Sequence, residues 1–467
     1  MAYVDPSWKI PSSSSLKSRE ERLEVGKSLR ADHPRASHAV LKAAENRRDS
    51  LNLLVEFSKG LLTQLIPIKY GRMMQSPFTF YRGAAAIMAA DLARTPTSGI
   101  TVQCCGDCHL VNFGGFATPE RRIIFDINDF DETLPGPWEW DIKRLATSFV
   151  IAGRDNKFTP SGSRKAALRC VQSYREHMHT YSKMSALDVW YDRIDAKALL
   201  QTLQSDKWGK VKKRLQDRIS EESSRTVEES DFPKLATIEA GNVRIKDNRP
   251  LIYHHALLDD LKYRQAVIDA TNQYRNTLTD GHNALLDHYE IKDIAVKVVG
   301  IGSIGTFCAI ALLMSPDNDV LFLQIKEARA SVLESYLSKS LYSSHGQRVV
   351  AGQKLMQSAS DIFLGWTKGP KRDFYIRQLR DIKIKAPVEQ FDEPAMTKYA
   401  EWCGWALARA HAKSGDSAVI HGYLGNSNEF DEAIASFAVT YADQNERDYK
   451  DFLKAIRAGK IEVDKEV

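Results

Sequence analysis

The spacing of apolar and polar positions divides the chain into helical stretches around two strand-rich regions. Helical spacing is found over 36–65, Phe80–Ala93, Trp140–Ala152, 160–205, 255–288, Glu327–Lys339 and from Met396 to the end. Alternating or β-rich runs predict strands over Gly99–Cys105, Arg122–Asn128, Ile294–Val299, Val320–Lys326 and Phe374–Leu379. The pattern predicts an α+β fold.

Changes in composition along the chain suggest five regions. The first, 1–70, begins as a Ser-rich charged arm and continues into helices, and 71–205 contains the first strand pair. A charged, Ser-rich stretch over 206–250 indicates a linker or a mobile insertion, and helices complete that region to 290. The second strand-rich region spans 291–395, and C-terminal helices fill 396–467.

Composition and charge exclude several classes of protein. The 467 residues are 43% apolar and 27% charged, which is typical of a globular chain and not of a disordered chain or a fibre. The net charge of +5 comes from 65 basic and 60 acidic residues. Such a balance is compatible with nucleotide or phosphate ligands, but without a dense basic tract we expect no nucleic-acid partner.

We expect no membrane association and a cytoplasmic location. The chain starts without an apolar signal region. Its longest uncharged apolar run, Val298–Met314, is interrupted by glycines and is short for a membrane span. Six cysteines in a chain of this length do not suggest a disulfide scaffold, so a reducing compartment is expected.

Polar residues follow both strands of the first strand pair. Asp107 and Asn112 lie in CCGDCHLVNFG, and FDINDFDE contains four acids, among them Asp126, Asp129 and Asp131. Buried carboxylates must be paired or must bind a cation, and Mg²⁺ prefers carboxylate and amide oxygens. The sequence therefore predicts a magnesium site with Asn112 and Asp129 as ligands and Asp126 and Asp131 as nearby candidates. The alternative is a solvated acidic turn.

This spacing is also typical of protein kinases, where Asp-x-x-x-x-Asn is followed by Asp-Phe. In that chemistry Asp107 would be the catalytic base that takes or orients an acceptor hydroxyl. Asn112 and Asp129 would hold metal on the triphosphate of ATP.

A glycine-rich segment follows the Ile294–Val299 strand. It matches G-x-G-x-x-G and comprises Gly300, Gly302, Ser303 and Gly305. If a helix followed, the segment would be a dinucleotide-binding fingerprint; if a strand followed, it would be a lid over ATP phosphates. The apolar run Thr306–Leu313 favours the strand, although a glycine-rich hairpin without a ligand is the plain alternative.

The next predicted strand, VLFLQIK, ends in Lys326. Under the lid interpretation Lys326 would contact the α and β phosphates. An acid in the following helix, Glu334 or else Glu327, would orient the lysine. Otherwise Lys326 is an ordinary surface side chain.

The two motifs occur in the reverse of the usual kinase order, because the glycine segment and Lys326 come after Asp107 and Asn112. Either the chain is a circular permutation of a protein-kinase-like two-lobe fold with extra helices, or the motifs only mimic one. The late segment YAEWCGWALARAHAKSGD supports permutation, because it resembles the helix that leads into the catalytic loop of aminoglycoside-kinase-like enzymes. Phe80–Ala93 competes for that role.

Cys105 and Cys108 form a Cys-x-x-Cys pair followed by His109. This matches a c-type haem attachment site, which would need export, and also a redox pair. A redox protein is a minor alternative, and small buried thiols are the plain interpretation.

Several single residues carry two interpretations each. Asp141, in GPWEWDIKRLATSF, could brace the loop that contains Asp107 through backbone N–H groups or could be an ordinary helix cap. Arg82 and Arg144 could bind phosphate through a guanidinium fork or could form internal salt bridges. His411 is expected to be a packed helix histidine.

Many segments in order resemble one family. They are FYRGAAAIMAADLA, CCGDCHLVNFGGF, FDINDFDETLPGPWEWDIKRLATSF, VVGIGSIGT, LFLQIKEARASVLE, GQRVVAGQKLMQ, FYIRQLRDIK and LARAHAKSGD. Over residues 20–455 they are similar to the bacterial domain-of-unknown-function 2252 family, from which Cys108 departs where a small residue such as Ala is expected. The resemblance implies no particular reaction, because the family has no settled activity.

Taken together, the motifs predict an ATP- and Mg²⁺-dependent phosphotransferase that acts on a small-molecule acceptor. Nucleotidyl transfer on the same parts and a non-catalytic nucleotide-binding sensor remain alternatives.

Overall fold

The structure, a computed structural model, describes residues 17–41, 47–203, parts of 212–220, 232–239, 242–254, 261–298, 304–379 and 383–464. Helices and antiparallel sheets make up these residues, so the predicted α+β class is confirmed. Gly300, Gly302 and Ser303 lie outside the described residues.

Helices form most of the described chain. In the first half they are Arg19–Asp32, Ser50–Ser58, Ile66–Met73, Pro77–Gly83, Ala85–Leu92, Trp138–Asp155, Pro160–Tyr181, Ala186–Tyr191 and Ala196–Gln201. In the second half they are Phe232–Leu235, Leu261–Arg275, Asp280–Leu286, His345–Met356, Glu393–Ser414, Ser417–Leu424 and Glu429–Arg457.

Thirteen strands are present among the described residues. They are β1 (Thr101–Cys104), β2 (Phe113–Ala117), β3 (Ile123–Ile127), β4 (Leu134–Pro137), β5 (Ala236–Glu239), β6 (Asn242–Ile245), β7 (Ile252–Tyr253), β8 (Glu290–Lys297), β9 (Cys308–Met314), β10 (Val320–Ala328), β11 (Gly365–Lys368), β12 (Asp373–Gln378) and β13 (Lys383–Lys385). Six form one antiparallel sheet in the order β11-β12-β10-β9-β8-β7. The strands β13-β2-β3 form a second sheet, and β1 pairs with β4 and β5 with β6.

The register of the large sheet places a group of polar residues on one face. Lys326 of β10 lies opposite Cys308 of β9 and Tyr375 of β12, and Gln324 lies opposite Arg377. Since alternate residues of a strand point to the same face, Gln324, Lys326, Tyr375 and Arg377 share one side of the sheet. Lys326 is only 3% exposed, so this face is covered.

The main core lies among the long helices and next to β1–β4. It buries nearly all of Trp138–Asp155, from Trp138 to Gly153, and one face each of Pro160–Tyr181 and Glu393–Ser414. Trp138 and Tyr174 stack inside it with ring centroids 5.5 Å apart. This large buried surface provides a rigid base for the loops that leave β1 and β3.

The strand that follows the glycine segment decides between the two interpretations of that segment. The apolar run predicted over Thr306–Leu313 forms strand β9, and its seven residues are all buried. A dinucleotide fingerprint would need a helix there. The strand expected after the glycine segment is therefore confirmed, and the lid over phosphates stays a prediction.

Some predicted elements are wrong in type or extent. The helix predicted over Glu327–Lys339 is absent, because β10 continues to Ala328 and only a 3₁₀ turn, Val332–Ser335, follows. Phe80–Ala93 is divided between two helices at Ala84. The described part of 36–65 contains one α-helix, Ser50–Ser58, between two 3₁₀ turns.

The charged regions also contain more structure than their composition suggests. Within 206–250 the described residues include the β5–β6 hairpin, and Ile245 of β6 is buried against the large sheet. The described part of the arm over 1–35 contains the helix Arg19–Asp32, which packs on Ser417–Leu424. No helix among the described residues has the length and apolar character needed to cross a membrane.

Candidate functional site

The loop between β1 and β2 carries Asp107 and is held in place by the buried helix that begins at Trp138. In the first turn of that helix, Asp141 accepts the backbone N–H of Cys105 at 2.7 Å and that of Gly106 at 3.1 Å. Two backbone donors on one carboxylate fix the course of the loop. The predicted bracing role of Asp141 is confirmed.

Gly106 allows this loop to approach the acidic segment after β3. Its φ is +83°, a value that L residues rarely adopt. A Cβ added there would lie 2.2 Å from the carbonyl oxygen of Glu132. The position therefore needs glycine for both backbone conformation and space.

Asp107 is held on one side only. Arg144 Nε donates to Oδ1 at 2.7 Å, and Arg144 Nη2 forms an ion pair with the same oxygen. Oδ2 accepts no hydrogen bond from any residue that the structure describes, and His109 Nε2 lies 3.8 Å from it. The salt-bridge interpretation of Arg144 is thus confirmed, and one oxygen of Asp107 is left for another group.

Asn112 links this loop to Asp129. Its side-chain Nδ2 donates to the Asp107 carbonyl at 2.8 Å, and its own carbonyl accepts the Asn128 N–H at 2.8 Å. The side-chain oxygen of Asn112 receives no hydrogen bond from the described part of the chain. Asn112 is therefore tied to Asp107 and to the residue before Asp129, and the shared metal site of Asn112 and Asp129 stays a prediction.

An ion pair connects the acidic segment to the large sheet. Lys326 Nζ pairs with Asp131 Oδ2, a contact between residues 195 positions apart. Tyr375 donates its hydroxyl to Asp131 Oδ1 at 2.8 Å. The two sequence motifs thus meet in space.

Charges within this cluster shift each other's pKa. Burial raises the pKa of Asp129 and the Asp131 carboxylate adds to the rise, against the opposing effect of Lys326 and Arg377. Burial would also raise the pKa of Asp131, but Lys326 and Tyr375 outweigh it and the pKa is lowered. Although burial alone would lower the pKa of Lys326, the two carboxylates raise it well above its usual range.

Asp126, expected near the metal, belongs to the core instead. It is 0% exposed and forms an ion pair with the equally buried Arg409 at 2.8 Å. Its other acceptor positions take the N–H and hydroxyl of Ser358, at 2.9 and 3.0 Å, and the N–H of Ile127 at 2.9 Å. With both oxygens in use, Asp126 has a structural role.

The partner expected for Lys326 is also different. Glu334 completes a capping box with Ser331 and lies 3.8 Å from Arg348 Nε. Asp131 takes the place expected of Glu334, and its two oxygens are used by Lys326 and Tyr375. Glu327 is occupied elsewhere, since it accepts the Phe307 N–H at 2.7 Å and pairs with Arg372.

Arg348, in the helix His345–Met356, is buried and holds the acidic segment in place. It is 1% exposed and donates to three carbonyls, those of Thr133 at 2.5 Å, Arg329 at 2.7 Å and Asp131 at 2.8 Å. From the next turns of the chain, Gln357 donates to the Ile127 carbonyl at 2.7 Å. The sequence indicates this role because GQRVVAGQKLMQ places Arg and Gln among apolar residues.

Two titratable residues near Asp107 were not predicted from the sequence to belong to the site. Burial lowers the pKa of Lys69 to about 8, with a contribution from Arg329 that Glu132 and Asp107 oppose. Burial raises the pKa of Glu132 to about 7, although the Val332 N–H, 2.7 Å away, favours its ionised form. Lys69 lies within an ordinary amphipathic helix, so nothing in the local pattern marks it.

The end of the glycine segment packs against the N-terminal part of the chain. Gly305 has φ +101°, and its carbonyl accepts the Leu62 N–H at 2.7 Å. A Cβ at this position would lie 2.9 Å from the Leu61 side chain. The residues just before the helix Ile66–Met73 therefore help to set the path of the chain into β9.

The Cys-x-x-Cys pair is sealed within the core. Cys105 is 1% exposed and Cys108 is 0% exposed. Burial raises the pKa of the Cys105 thiol well above its ordinary value and that of Cys108 to about 12. Because thiol exchange needs an accessible thiolate, this environment favours the interpretation as buried packing residues.

Comparison with known proteins gives a family but no activity. No curated protein and no solved structure matches the chain. The model of the family described as "Uncharacterized protein conserved in bacteria (DUF2252)" matches residues 61–455. That range includes Asp107, Asn112, Asp129, Gly305 and Lys326, so the chain belongs to the DUF2252 family.

Proposed function

We propose that this protein transfers a phosphoryl group from ATP, bound with Mg²⁺, to a small-molecule acceptor. The observation that carries the proposal is the ion pair between Lys326 and Asp131, beside Asp129. It joins β10, the second strand after the glycine segment, to the loop that follows β3. A lysine next to a metal-binding acid and a polar loop is the arrangement that phosphoryl transfer needs.

The order of elements adds support. Strands β8, β9 and β10 are followed by the helix His345–Met356 and by β11 and β12, and β12 lies between β10 and β11. A kinase small lobe has the same order: strand, glycine segment, strand, turn, strand with a lysine, helix and two strands. The β2–β3 hairpin separates Asn112 from Asp129, as between a catalytic loop and a metal loop. A kinase-like two-lobe fold in circularly permuted order is part of this proposal.

The available oxygens fit Mg²⁺. Asp129 accepts a backbone N–H at 3.2 Å on Oδ1, and no described donor reaches Oδ2. The side-chain oxygen of Asn112 is likewise without a described donor. One carboxylate and one amide oxygen, with phosphate oxygens and water, make a donor set that Mg²⁺ prefers. A nearby cation would also offset the burial that raises the pKa of Asp129.

Each residue then has a defined part in the reaction. When bound, Mg²⁺ offsets negative charge on the triphosphate. Lys326 would donate to phosphate oxygens, and the glycine segment that ends at Gly305 would cover them. Arg144 holds Oδ1 of Asp107, so that Oδ2 can accept the hydrogen of the acceptor hydroxyl and orient it.

Two alternatives use the same residues. In nucleotidyl transfer the acceptor attacks the α-phosphorus of ATP, takes up the AMP group and releases pyrophosphate, and in a sensor the nucleotide binds without reaction. The products distinguish them: ADP indicates phosphoryl transfer, pyrophosphate with an adenylylated acceptor indicates nucleotidyl transfer, and unchanged ATP indicates a sensor.

The first test is thermal unfolding with and without Mg·ATP. The wild type and Asp129→Ala are compared with Asp451→Ala, a matched substitution at an exposed residue of the C-terminal helix. A ligand that binds only the folded state stabilises it by about 2.7 kcal/mol at a hundredfold excess over Kd. We expect a Mg²⁺-dependent rise in Tm for the wild type and Asp451→Ala and none for Asp129→Ala.

The outcome that would remove the proposal is an equal response of all three proteins or no response of any of them. A second measurement follows nucleotide turnover in the presence of cell-extract metabolites. There Asp107→Asn should abolish turnover and keep the Mg·ATP shift, because Asp107 orients the acceptor and does not hold the nucleotide.

A further inference from the structure

A cavity of about 870 Å³ adjoins the loop that carries Asp107. It lies between the helix Pro77–Gly83 and the segment from Lys383 to Gln390, and Val111 of the Asp107 loop forms part of its wall. Lys326, Asp131 and Gly305 are not among the lining residues. The cavity is therefore separate from the groups assigned to the ATP phosphates.

Arg82 lines this cavity without a counter-ion. Its Nε is buried and has no hydrogen-bond partner among the described residues, and no described carboxylate forms an ion pair with its guanidinium. The side chain is partly exposed, and its guanidinium carbon lies 5.9 Å from the centre of the Phe78 ring. A largely buried cation that lacks a counter-ion is costly. Arg144 shows the usual solution, since it is paired with Asp107.

The charge of Arg82 belongs to the same electrostatic neighbourhood as Asp107. Burial lowers the pKa of Arg82, and Asp107 and then Glu389 act against that effect. His109, next to Asp107, has its pKa lowered well below the ordinary value by burial, and Arg82 contributes to the shift. A group held by Arg82 would thus lie close to the candidate base.

Most other polar groups of the cavity wall are satisfied within the protein. Asp155 accepts the Ser76 hydroxyl at 2.5 Å, and Asn156 donates to the Val388 carbonyl at 2.8 Å. At the opposite wall Lys383 has no ion-pair partner among the described residues. Partial burial and Arg377 lower its pKa to about 7, against the smaller effects of Asp361 and Asp129. The charged groups left over in this cavity are thus Arg82, Lys383 when protonated, and the carboxylate of Glu389.

The geometry points to an anion-binding site in this cavity, in which Arg82 holds a carboxylate or phosphate group of the acceptor. A guanidinium offers two parallel N–H donors that match either group. Bound in this way, the acceptor would be anchored between Arg82 and Lys383 beside Asp107. That the anion belongs to the acceptor rests on the proposed function; that the cavity binds an anion does not.

Titration with inorganic phosphate and with malonate tests the site directly. Isothermal calorimetry in chloride buffer is run on the wild type, Arg82→Gln and Arg447→Gln, a matched substitution at an exposed residue of the C-terminal helix. Because Arg82 supplies charge-assisted hydrogen bonds, Arg82→Gln should weaken binding of at least one probe by about tenfold or more. Arg447→Gln should leave this binding within about twofold.

A second variant covers the case in which Arg82→Gln does not fold. Lys383 is exposed on a short edge strand, so Lys383→Glu should fold and place a negative charge in the cavity wall. It should also weaken the binding of phosphate or malonate. Unchanged affinity in Arg82→Gln and Lys383→Glu, or the absence of saturable binding of either anion to the wild type, would overturn the proposal.

The two proposals can fail separately. If phosphate binding depends on Arg82 while Mg·ATP does not bind, the anion site stands and phosphoryl transfer fails. If Mg·ATP binds with Asp129 dependence while Arg82→Gln changes nothing, the reverse holds. With both in place, glycerol 3-phosphate or glycerate should be a better acceptor than glycerol, and Arg82→Gln should act mainly on KM.

Discussion

The same substitution at two acids three residues apart should have opposite consequences. Asp126 and Asp129 both lie in the segment FDINDFDE and were both candidate metal ligands. The structure places the first in an ion pair inside the core and the second beside Lys326. Asp126→Asn should therefore reduce stability and spare nucleotide binding, and Asp129→Asn should do the reverse.

The magnitude at Asp126 follows from its contacts. Asp126 and Arg409 are both 0% exposed, and Arg409 Nη2 donates to the two carboxylate oxygens at 2.9 and 2.8 Å. The amide of Asn would present an NH₂ donor to groups that are themselves donors and would leave the Arg409 charge buried without a counter-ion. Breaking a buried pair from one side costs about 3–5 kcal/mol. That is a large part of the 5–15 kcal/mol that is typical of a folded protein.

At Asp129 the expected cost is small. Burial and the neighbouring Asp131 raise its pKa, so the folded protein disfavours the ionised form. Asn removes that charge, and Lys326 keeps its pair with Asp131. We expect the free energy of unfolding to change by less than about 1 kcal/mol. Binding of Mg·ATP should be lost, because the carboxylate ligand of the metal is gone.

Urea unfolding followed by circular dichroism gives both free energies, and calorimetric titration of the folded proteins gives the Mg·ATP affinities. The titration is done at a temperature at which both variants are folded. If Asp126→Asn is stable and unable to bind Mg·ATP, then Asp126 is a metal ligand and the argument from the Arg409 pair is wrong. A large loss of stability in Asp129→Asn would show instead that Asp129 is a structural partner of Lys326.

Three further predictions concern the loop, the pH dependence of stability and the thiols. Gly106→Ala should lower the free energy of unfolding, measured in urea, by more than about 3 kcal/mol. Gly99 has a similar φ of +82°, but no atom lies within 4 Å of the new Cβ, so Gly99→Ala should lower it by only about 1–2 kcal/mol. Equal losses would contradict the contact with Glu132. The pKa of Glu132 is about 7 in the folded protein and has an ordinary value of 4.5, so between these pH values the folded state binds more protons than the unfolded state. The free energy of unfolding should therefore fall as pH rises from 4.5 to 7. Glu132→Gln should remove this pH dependence. Native protein should show no fast reaction of Cys105 or Cys108 with a disulfide reagent, and six thiols should react after unfolding; two fast native thiols would revive the redox alternative.

Much of the fold could be predicted from local pattern alone. Strands β1, β3, β8, β10 and β12 were recognisable as alternating or β-rich runs, and the long helices that begin at Trp138 and Glu393 as periodic ones. The errors lie where tertiary contacts override local propensity. Glu327–Ala328 extend β10 instead of starting a helix, because they pair with Phe374 and Asp373 of β12.

The residue types of the candidate site could be predicted from the sequence, but the ion pairs and hydrogen bonds between them could be predicted less well. Asp107, Asn112 and Asp129 were marked by their spacing, because acids and amides directly after buried strands need a reason to be there. Asp126 shares that signal and has a different role, because its partner Arg409 comes from a helix 283 positions away. No local pattern distinguishes a carboxylate that is proposed to bind a metal from one that forms an ion pair with a distant arginine.

The sequence by itself therefore determined the α+β class, the loop with Asp107 and Asn112, the acid at 129 and a strand that contains Lys326. Those features depend on short-range periodicity and on the chemical nature of single residues. Only the tertiary structure decided that Lys326 pairs with Asp131 and not with Glu334, and that Arg348, Lys69 and Arg82 surround the site. Such choices depend on which distant side chains lie in the same buried volume, because an unpaired charge there is costly. The residues that are neighbours along the chain do not show which distant side chains these are.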